Sequence, residues 1–243
     1  MRIFSPLFEI GTRLGAQVGP QDKIGGVPVG IDPALWPTCT ECGATMSHLG
    51  QFVHHPDRLD LGAEGRVLTL WQCENDPGSC ETYAVDSGAN AAVVTDADGT
   101  ADLPVLPPGP LPFIYPEVRV TRWTEGDDGV PPERVPDYFD DDVRLALDEA
   151  WFAPGGSETR FGGVPAWEQS ASEGPERPWT FVGQIAGRQP MRSAPPDVAW
   201  SHPLWVATGW HLKGPNFGDD GIAYLFLDRS SDPPGACFIW QCG

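Results

Sequence analysis

Four cysteines are the residues in this chain whose types and spacing could do chemistry. Cys39-Thr40-Glu41-Cys42-Gly43 is a Cys-x-x-Cys turn, and two intervening residues let both sulfurs face one point. Gly43 can adopt a positive φ there, which frees backbone N–H groups to point at thiolate sulfur. A second pair, Cys73 and Cys80, begins 31 residues after Cys42 and is separated by the turn-rich spacer Glu74-Asn75-Asp76-Pro77-Gly78-Ser79. Two close pairs from distant parts of a chain are what a tetrahedral thiolate site for Zn²⁺ requires, although six residues between the second pair is looser than usual. Two disulfides, or four unlinked buried thiols, are the competing readings. Residues 1–15 contain Pro6 and Glu9 and no uninterrupted apolar run, so no secretory leader is expected. A reducing, cytoplasmic setting favours the metal over disulfides. Four thiolates would leave no open coordination position, so the ion would be structural.

Other chemistry is harder to place. There is no Gly-x-Ser-x-Gly elbow, no His-Glu-x-x-His and no P-loop. Adjacent His54 and His55 would face opposite ways on a strand, which suits a surface loop better than a metal site. Asp96, Asp98 and Asp102 hint at a calcium loop, but Gly99 comes too early for its register. Cys237 and Cys242 lie five apart on the last strand, on opposite faces, and read as ordinary thiols.

The elements that must position these groups read as mainly β (α+β). The chain has 29 Gly and 27 Pro, a level that can mean disorder, but ten Trp and eleven Phe argue for a folded, loop-rich protein of short strands. Strands are expected over Met46–Val53, Arg66–Cys73, Ala91–Thr95 and Pro116–Thr124. Residues 1–22 form a lead-in segment in which Ile3, Phe4, Leu7, Phe8, Ile10 and Leu14 could line a short amphipathic helix. Residues 96–159 read as a linker followed by a helix over 138–152, with Phe139, Val143, Ala146, Leu147, Ala150 and Trp151 on one stripe and Pro154-Gly155-Gly156 as its stop.

Three short strings recur in order. Lys23-Ile24-Gly25-Gly26-Val27-Pro28 returns as Arg160-Phe161-Gly162-Gly163-Val164-Pro165, and Leu49-Gly50-Gln51 returns as Val182-Gly183-Gln184. Gly65-Arg66-Val67-Leu68 returns as Gly221-Ile222-Ala223-Tyr224. The offsets are 137, 133 and 156 residues, so the second copy carries an insertion between Gln184 and Gly221, which holds Trp200, Trp205 and Trp210. The reading is two tandem β-rich repeats in one compact domain, 23–95 and 160–243. The first would be stapled by zinc and the second by aromatic packing.

This ordered set resembles the YwqG-like family, a bacterial domain family of unknown function, and more distantly the programmed cell death protein 2 family. The residues that carry the resemblance are Gly25-Gly26-Val27-Pro28, Cys39-Thr40-Glu41-Cys42, Leu49-Gly50-Gln51, Leu68 to Cys73 and Glu74 to Cys80, with Gly162 to Trp167 and Gly183-Gln184 in the second copy. The resemblance implies a two-repeat β-rich fold without established catalytic residues. It also implies a dedicated chaperone, as in the eukaryotic relatives, or a toxin-immunity protein. The basic linkers of the eukaryotic branch are missing here.

Charge bounds the partners. Fifteen Lys and Arg stand against 34 Asp and Glu, a formal charge of −19. Such a field repels nucleic-acid backbones and anionic membrane surfaces and steers basic proteins. No apolar run reaches membrane-spanning length. The expectation is a monomeric, non-catalytic protein-binding module. The alternative is an enzyme or small-molecule binder that uses Gln51, Gln184 and a cleft between the repeats.

Overall fold

Arg66–Gln72 is buried at every position, where a half-exposed strand would alternate. The reason lies in its two covered faces. In a computed structural model, which describes residues 1–9, 17, 19–75, 79–97, 104–147, 154–176, 178–190 and 211–243, this strand belongs to a closed ten-stranded barrel. Its strands are β1 (Arg2–Glu9), β2 (Lys23–Ile24), β3 (Ser47–Val53), β4 (Arg66–Gln72), β5 (Asn90–Asp96), β6 (Val118–Asp127), β7 (Arg160–Gly162), β8 (Thr180–Ala186), β11 (Ile222–Asp228) and β12 (Gly235–Gln241). Strands β9 (Arg188–Pro190) and β10 (His211–Lys213) form a separate two-stranded ribbon.

Around the barrel the order is β1-β6-β2-β3-β4-β5-β12-β11-β8-β7. Two arcs run in chain order, β2 to β5 and β7, β8, β11, β12. They meet directly at β5 and β12 and are joined on the other side by β1 and β6. Side chains alternate as the pleat requires. Leu68 and Leu70 of β4, Ala223, Leu225 and Leu227 of β11, and Phe238 of β12 share the central core with Leu49, Phe52, Phe161 and Ile185. The intervening residues point outward under two separate caps. Val67 and Trp71 pack with Trp36, Met46 and three of the cysteines; Ile222, Tyr224 and Phe226 pack with Trp167 and Ala171.

The Gly-Gly turns close the barrel in the same way twice. Gly25 and Gly26 have φ of 68° and 65°, and Gly162 and Gly163 have 80° and 69°. A Cβ on Gly25 would stand 2.1 Å from the carbonyl oxygen of Pro116, just ahead of β6, and one on Gly162 would stand 2.5 Å from that of Arg2. Only glycine permits both the conformation and the approach. Beside each turn, a buried cation donates four residues ahead: Lys23 Nζ to the Val27 carbonyl at 2.6 Å, Arg160 Nη2 to the Val164 carbonyl at 2.8 Å. A buried glutamine then fixes the chain that follows. Gln51 Oε1 accepts from Val29 N at 2.9 Å, and Gln184 Oε1 accepts from Ala166 N at 3.0 Å.

Several expectations need correction. Residues 2–9 are a strand, β1, because the lead-in pairs with β6 and β7 and feeds Phe8 into the core. The expected helix over 138–152 is not continuous. A 3₁₀ segment covers Pro132–Phe139, and among the described residues the α-helix, α1, spans Asp141–Arg144. Asp140 caps α1 through Oδ1, which accepts from Asp142 N and Val143 N. Its supposed apolar stripe is half open, since Phe139 and Val143 are exposed. Pro131, Pro132 and Pro136 hold the preceding residues to a tight 3₁₀ course. Ala150 and Trp151 of that stripe, Asp98 and Asp102, and Trp200, Trp205 and Trp210 lie outside the described residues. In the barrel Gln51 sits opposite Thr69 and Gln184 opposite Tyr224; those partners are 155 residues apart, one fewer than the 156 between Gly65 and Gly221. One residue of slip would exchange the two faces of the strand.

Candidate metal centre

The outer cap over β4 carries the cysteines. After β2 the chain runs through a short 3₁₀ turn, Pro33–Leu35, whose start Asp32 caps by accepting from Ala34 N at 2.8 Å. Trp36 then lies against Trp71, with ring centroids 4.7 Å apart, and its Nε1 donates to the Met46 carbonyl at 2.8 Å. That buried floor fixes both ends of a small knuckle. Thr38 bridges to Thr45, Cys39 N donates to Ala44 O, and Gly43 N donates to Cys39 O. Gly43 has φ of 75°, as the Cys-x-x-Cys-Gly pattern requires, and nothing crowds its missing side chain. Cys73 follows the last residue of β4. Its N–H donates to Ala89 O, which ties the position to the base of β5. The segment with Cys80 is strapped to the knuckle by Thr40 N on Gly88 O and Glu81 N on Glu41 Oε1.

These ties bring the four predicted ligands together. The Sγ atoms of Cys39, Cys42, Cys73 and Cys80 all lie within 4.8 Å of one another, and those of Cys42 and Cys73 are 3.5 Å apart. Tetrahedral bonds of about 2.3 Å would set sulfurs roughly 3.8 Å apart, so the group fits one ion with a small adjustment. None of the six cysteines is in a disulfide.

Electrostatics agree with the donor geometry. The Cys42 thiol is held below its ordinary range, first by the Ala44 N–H on its sulfur and then by Cys73. Burial pushes Cys73 up to about 11, against a bond from Asn75 N–H that works the other way. Burial raises Cys80 as well. Crowded thiols that ionise poorly by themselves are what a divalent cation relieves, with release of protons. Cys39, Cys73 and Cys80 are buried, whereas Cys42 is exposed.

Cys42 opens onto a cleft of about 480 Å³, lined also by Ala44, Thr45, Glu74, Leu111 and Phe113. One wall is the Pro-rich segment 104–116, tied at both ends. Pro104 bridges Val29, Val105 N donates to Pro28 O, and Tyr115 O accepts from Gly26 N. Tyr115 Oη donates to Glu74 Oε1 at 2.7 Å and accepts from Asn216 N at 3.0 Å. Between these anchors Leu106, Leu111 and Phe113 are 59%, 67% and 57% exposed. Sequence reasoning passed this segment over as a linker. Its signal was visible in the alternation of Pro with Leu and Phe, since prolines cannot pair into a sheet and so leave such side chains outside.

The remaining candidates sit elsewhere. His54 Nδ1 accepts from Leu61 N, and His55 Nδ1 accepts from Asp57 N and Arg58 N, so both cap turns. Cys237 is on β12 in the opposite cap, its thiol pushed up to about 12 by burial. Gln51 and Gln184 are buried in the barrel wall. No helix among the described residues is long and apolar enough to cross a membrane.

Fold and site together define a class: a closed β-barrel with a four-cysteine cluster that can hold a metal, set in the cap of one arc. In comparisons with known proteins, no family model matches the chain and no curated protein does.

Proposed function

We propose that this protein is a non-catalytic protein-binding module, built by internal duplication, with Zn²⁺ held by Cys39, Cys42, Cys73 and Cys80 as a structural staple. The observation that carries the binding reading is the anchored loop beside the cluster, which holds Leu106, Leu111 and Phe113 out in solvent. A loop tied down at both ends presents apolar side chains at little further cost in entropy on binding. The partner is a basic protein with an apolar anchor. The charge of −19 steers it, and the cleft between Phe113 and Glu74 receives it. The YwqG-like resemblance is in keeping with this reading, through a dedicated chaperone or a toxin-immunity protein that works as a monomer in the cytoplasm. Duplication is supported by the matched Gly-Gly turns, cation bonds and glutamine bonds, and by the two arcs in chain order. The competing enzyme reading named Gln51 and Gln184. Gln51 and Gln184 are buried in the wall, where their side-chain oxygens accept from backbone N–H groups.

Affinity capture from the native cell at low and moderate salt, with the intact chain and with Leu111→Ser/Phe113→Ser, tests this. A basic protein should be recovered in stoichiometric amount, less at higher salt, because exposed charges are screened beyond about 8–10 Å. The double variant should lose it. Equal recovery by both chains would place the partner elsewhere, and turnover of a defined metabolite without any protein recovered would overturn the binding reading.

A further inference from the structure

Of the four clustered thiols, three are shut away and one is not. Cys39, Cys73 and Cys80 are 1%, 2% and 7% exposed, while Cys42 stands at the rim of the cleft. Its Sγ lies 3.5 Å from that of Cys73. Burial keeps solutes from the other three sulfurs, and this cluster leaves a single sulfur within reach of a small solute. We propose that Cys42 is an oxidation site through which peroxide opens the cluster, by forming a Cys42–Cys73 disulfide that expels the metal. The metal half of this rests on the zinc reading above; the oxidation half rests on exposure and proximity alone.

The chemistry balances with hydrogen peroxide as oxidant. The Cys42 sulfur attacks one peroxide oxygen, the O–O bond breaks, and hydroxide leaves to give a sulfenic acid. The Cys73 thiolate then attacks the Cys42 sulfur, the S–S bond forms, and a second hydroxide leaves. Two thiolates have given two electrons, peroxide has accepted them, and both hydroxides are protonated by solvent. Cys39 and Cys80 remain thiols. Two donors do not retain a divalent ion that needed four.

The consequence falls on the binding cleft. Cys42 shares its lining with Ala44, Thr45, Leu111 and Phe113. Turning its sulfur inward toward Cys73 breaks the bond from Ala44 N–H and reshapes the wall nearest the apolar loop. Oxidation would therefore couple metal loss to a change in partner affinity.

The test uses the full chain purified under reducing conditions. Its metal content is measured first. After removal of the reductant, peroxide is added, metal release is followed with a colorimetric chelator, and each cysteine is mapped by differential alkylation and mass spectrometry. The expected result is release of about one equivalent of metal, a Cys42–Cys73 bond, and free Cys39 and Cys80, reversed by dithiothreitol and Zn²⁺. Cys42→His keeps a nitrogen ligand at the exposed position without an oxidisable sulfur, and should release metal roughly tenfold more slowly. A Cys39–Cys42 or Cys73–Cys80 bond, or Cys42 surviving as a thiol, overturns the proposal. A chain free of metal that still forms the Cys42–Cys73 bond would refute the zinc reading and leave the oxidation site standing.

Discussion

Gln184 and Gln51 occupy matching places, yet they should not cost the same to remove. Gln184 Oε1 accepts from Ala166 N at 3.0 Å, and its Nε2 donates to the carbonyls of Gly156 at 3.2 Å and Glu158 at 3.0 Å. Gln184→Leu would strand one buried N–H and take a donor from two carbonyls. An unsatisfied buried group costs about 1–3 kcal/mol, and a carbonyl with a second lone pair sits at the low end, so the sum is roughly 3–5 kcal/mol. Gln51 makes the matching bond to Val29 N at 2.9 Å, but its Nε2 has no partner among the described residues. Gln51→Leu strands the same single N–H while removing an unpaired buried amide, so its cost should be about 1–2 kcal/mol. Against a total stability of about 5–15 kcal/mol, both variants should fold well enough to measure. Urea unfolding followed by tryptophan fluorescence, at constant m-value, reads the difference directly. Equal costs, or a larger cost at Gln51, would mean that the bonds of the Gly156–Glu158 carbonyls to Gln184 carry no stability, and the reasoning would fail.

Three further outcomes are expected. Gly25→Ala should cost more than about 3 kcal/mol because its Cβ would strike the Pro116 carbonyl, whereas Gly43→Ala, with open space around it, should cost about 1 kcal/mol of backbone strain; thermal melts of the two compare them. His48 is buried against Trp71, donates from Nδ1 to the Gly26 carbonyl, and is held down to about 3 by burial. Its folded value lies below the ordinary 6.5, so the stability it contributes is full above pH 6.5 and falls as pH drops toward 3. The loss is about 1.4 kcal/mol per unit, and His48→Gln should flatten that slope in denaturant titrations across pH 4–7. Cys73→Ser should abolish metal binding and loosen the cap over β4, while Cys237→Ser should leave metal content at about one equivalent by elemental analysis.

What could be read from residues alone divides along physical lines. The cysteine group was legible because ligand spacing is local and tetrahedral coordination tolerates few arrangements, so Cys39 to Cys80 could be assembled without a fold. The Gly-Gly-Val-Pro strings were legible for a related reason: a positive φ at two successive positions allows almost no residue but glycine. Strands β3, β4 and β6 were legible as short runs rich in apolar and β-branched residues. Strand β1 was not. Ile3, Phe4, Leu7 and Phe8 suit a helix face as well as a strand, and what decides is pairing with Val118–Asp127, more than a hundred residues away. The helix over 138–152 failed in the opposite direction. Its periodicity was good, but Pro136 lies in a 3₁₀ course, and among the described residues of the stripe Phe139 and Val143 stay exposed while Leu147 packs partly against Val130, Tyr138 and Val164. Closure was not legible at all, because nothing local in β5 announces β12 as its neighbour.

That closure is uneven, and the unevenness predicts where the barrel opens. Strand β1 pairs with β6 through eight residues, from Arg2 opposite Asp127 to Glu9 opposite Arg119, and β2 and β7 then attach to the outer sides of that pair. On the opposite side β5 meets β12 through one residue pair, Ala92 with Ala236. Within the arcs the ladders run from seven pairs, between β4 and β5 and between β11 and β12, down to two, between β2 and β3 and between β7 and β8. The barrel is thus two arcs, each joined to the long β1–β6 pair through two residue pairs and touching each other through one. Local opening follows the smallest set of backbone bonds that must break, so fluctuation should begin at β5–β12. Cys237, which shares the cap on that side with Val85, would then be uncovered before Phe8 or Val118. Native-state hydrogen exchange with peptide resolution should find Asn90–Asp96 and Gly235–Gln241 exchanging ahead of Val118–Asp127, and Cys237 should react with a thiol reagent at the same rate. Earlier exchange of β6 than of β5 and β12 would show that the β1–β6 side, and not the β5–β12 contact, is where the barrel gives way.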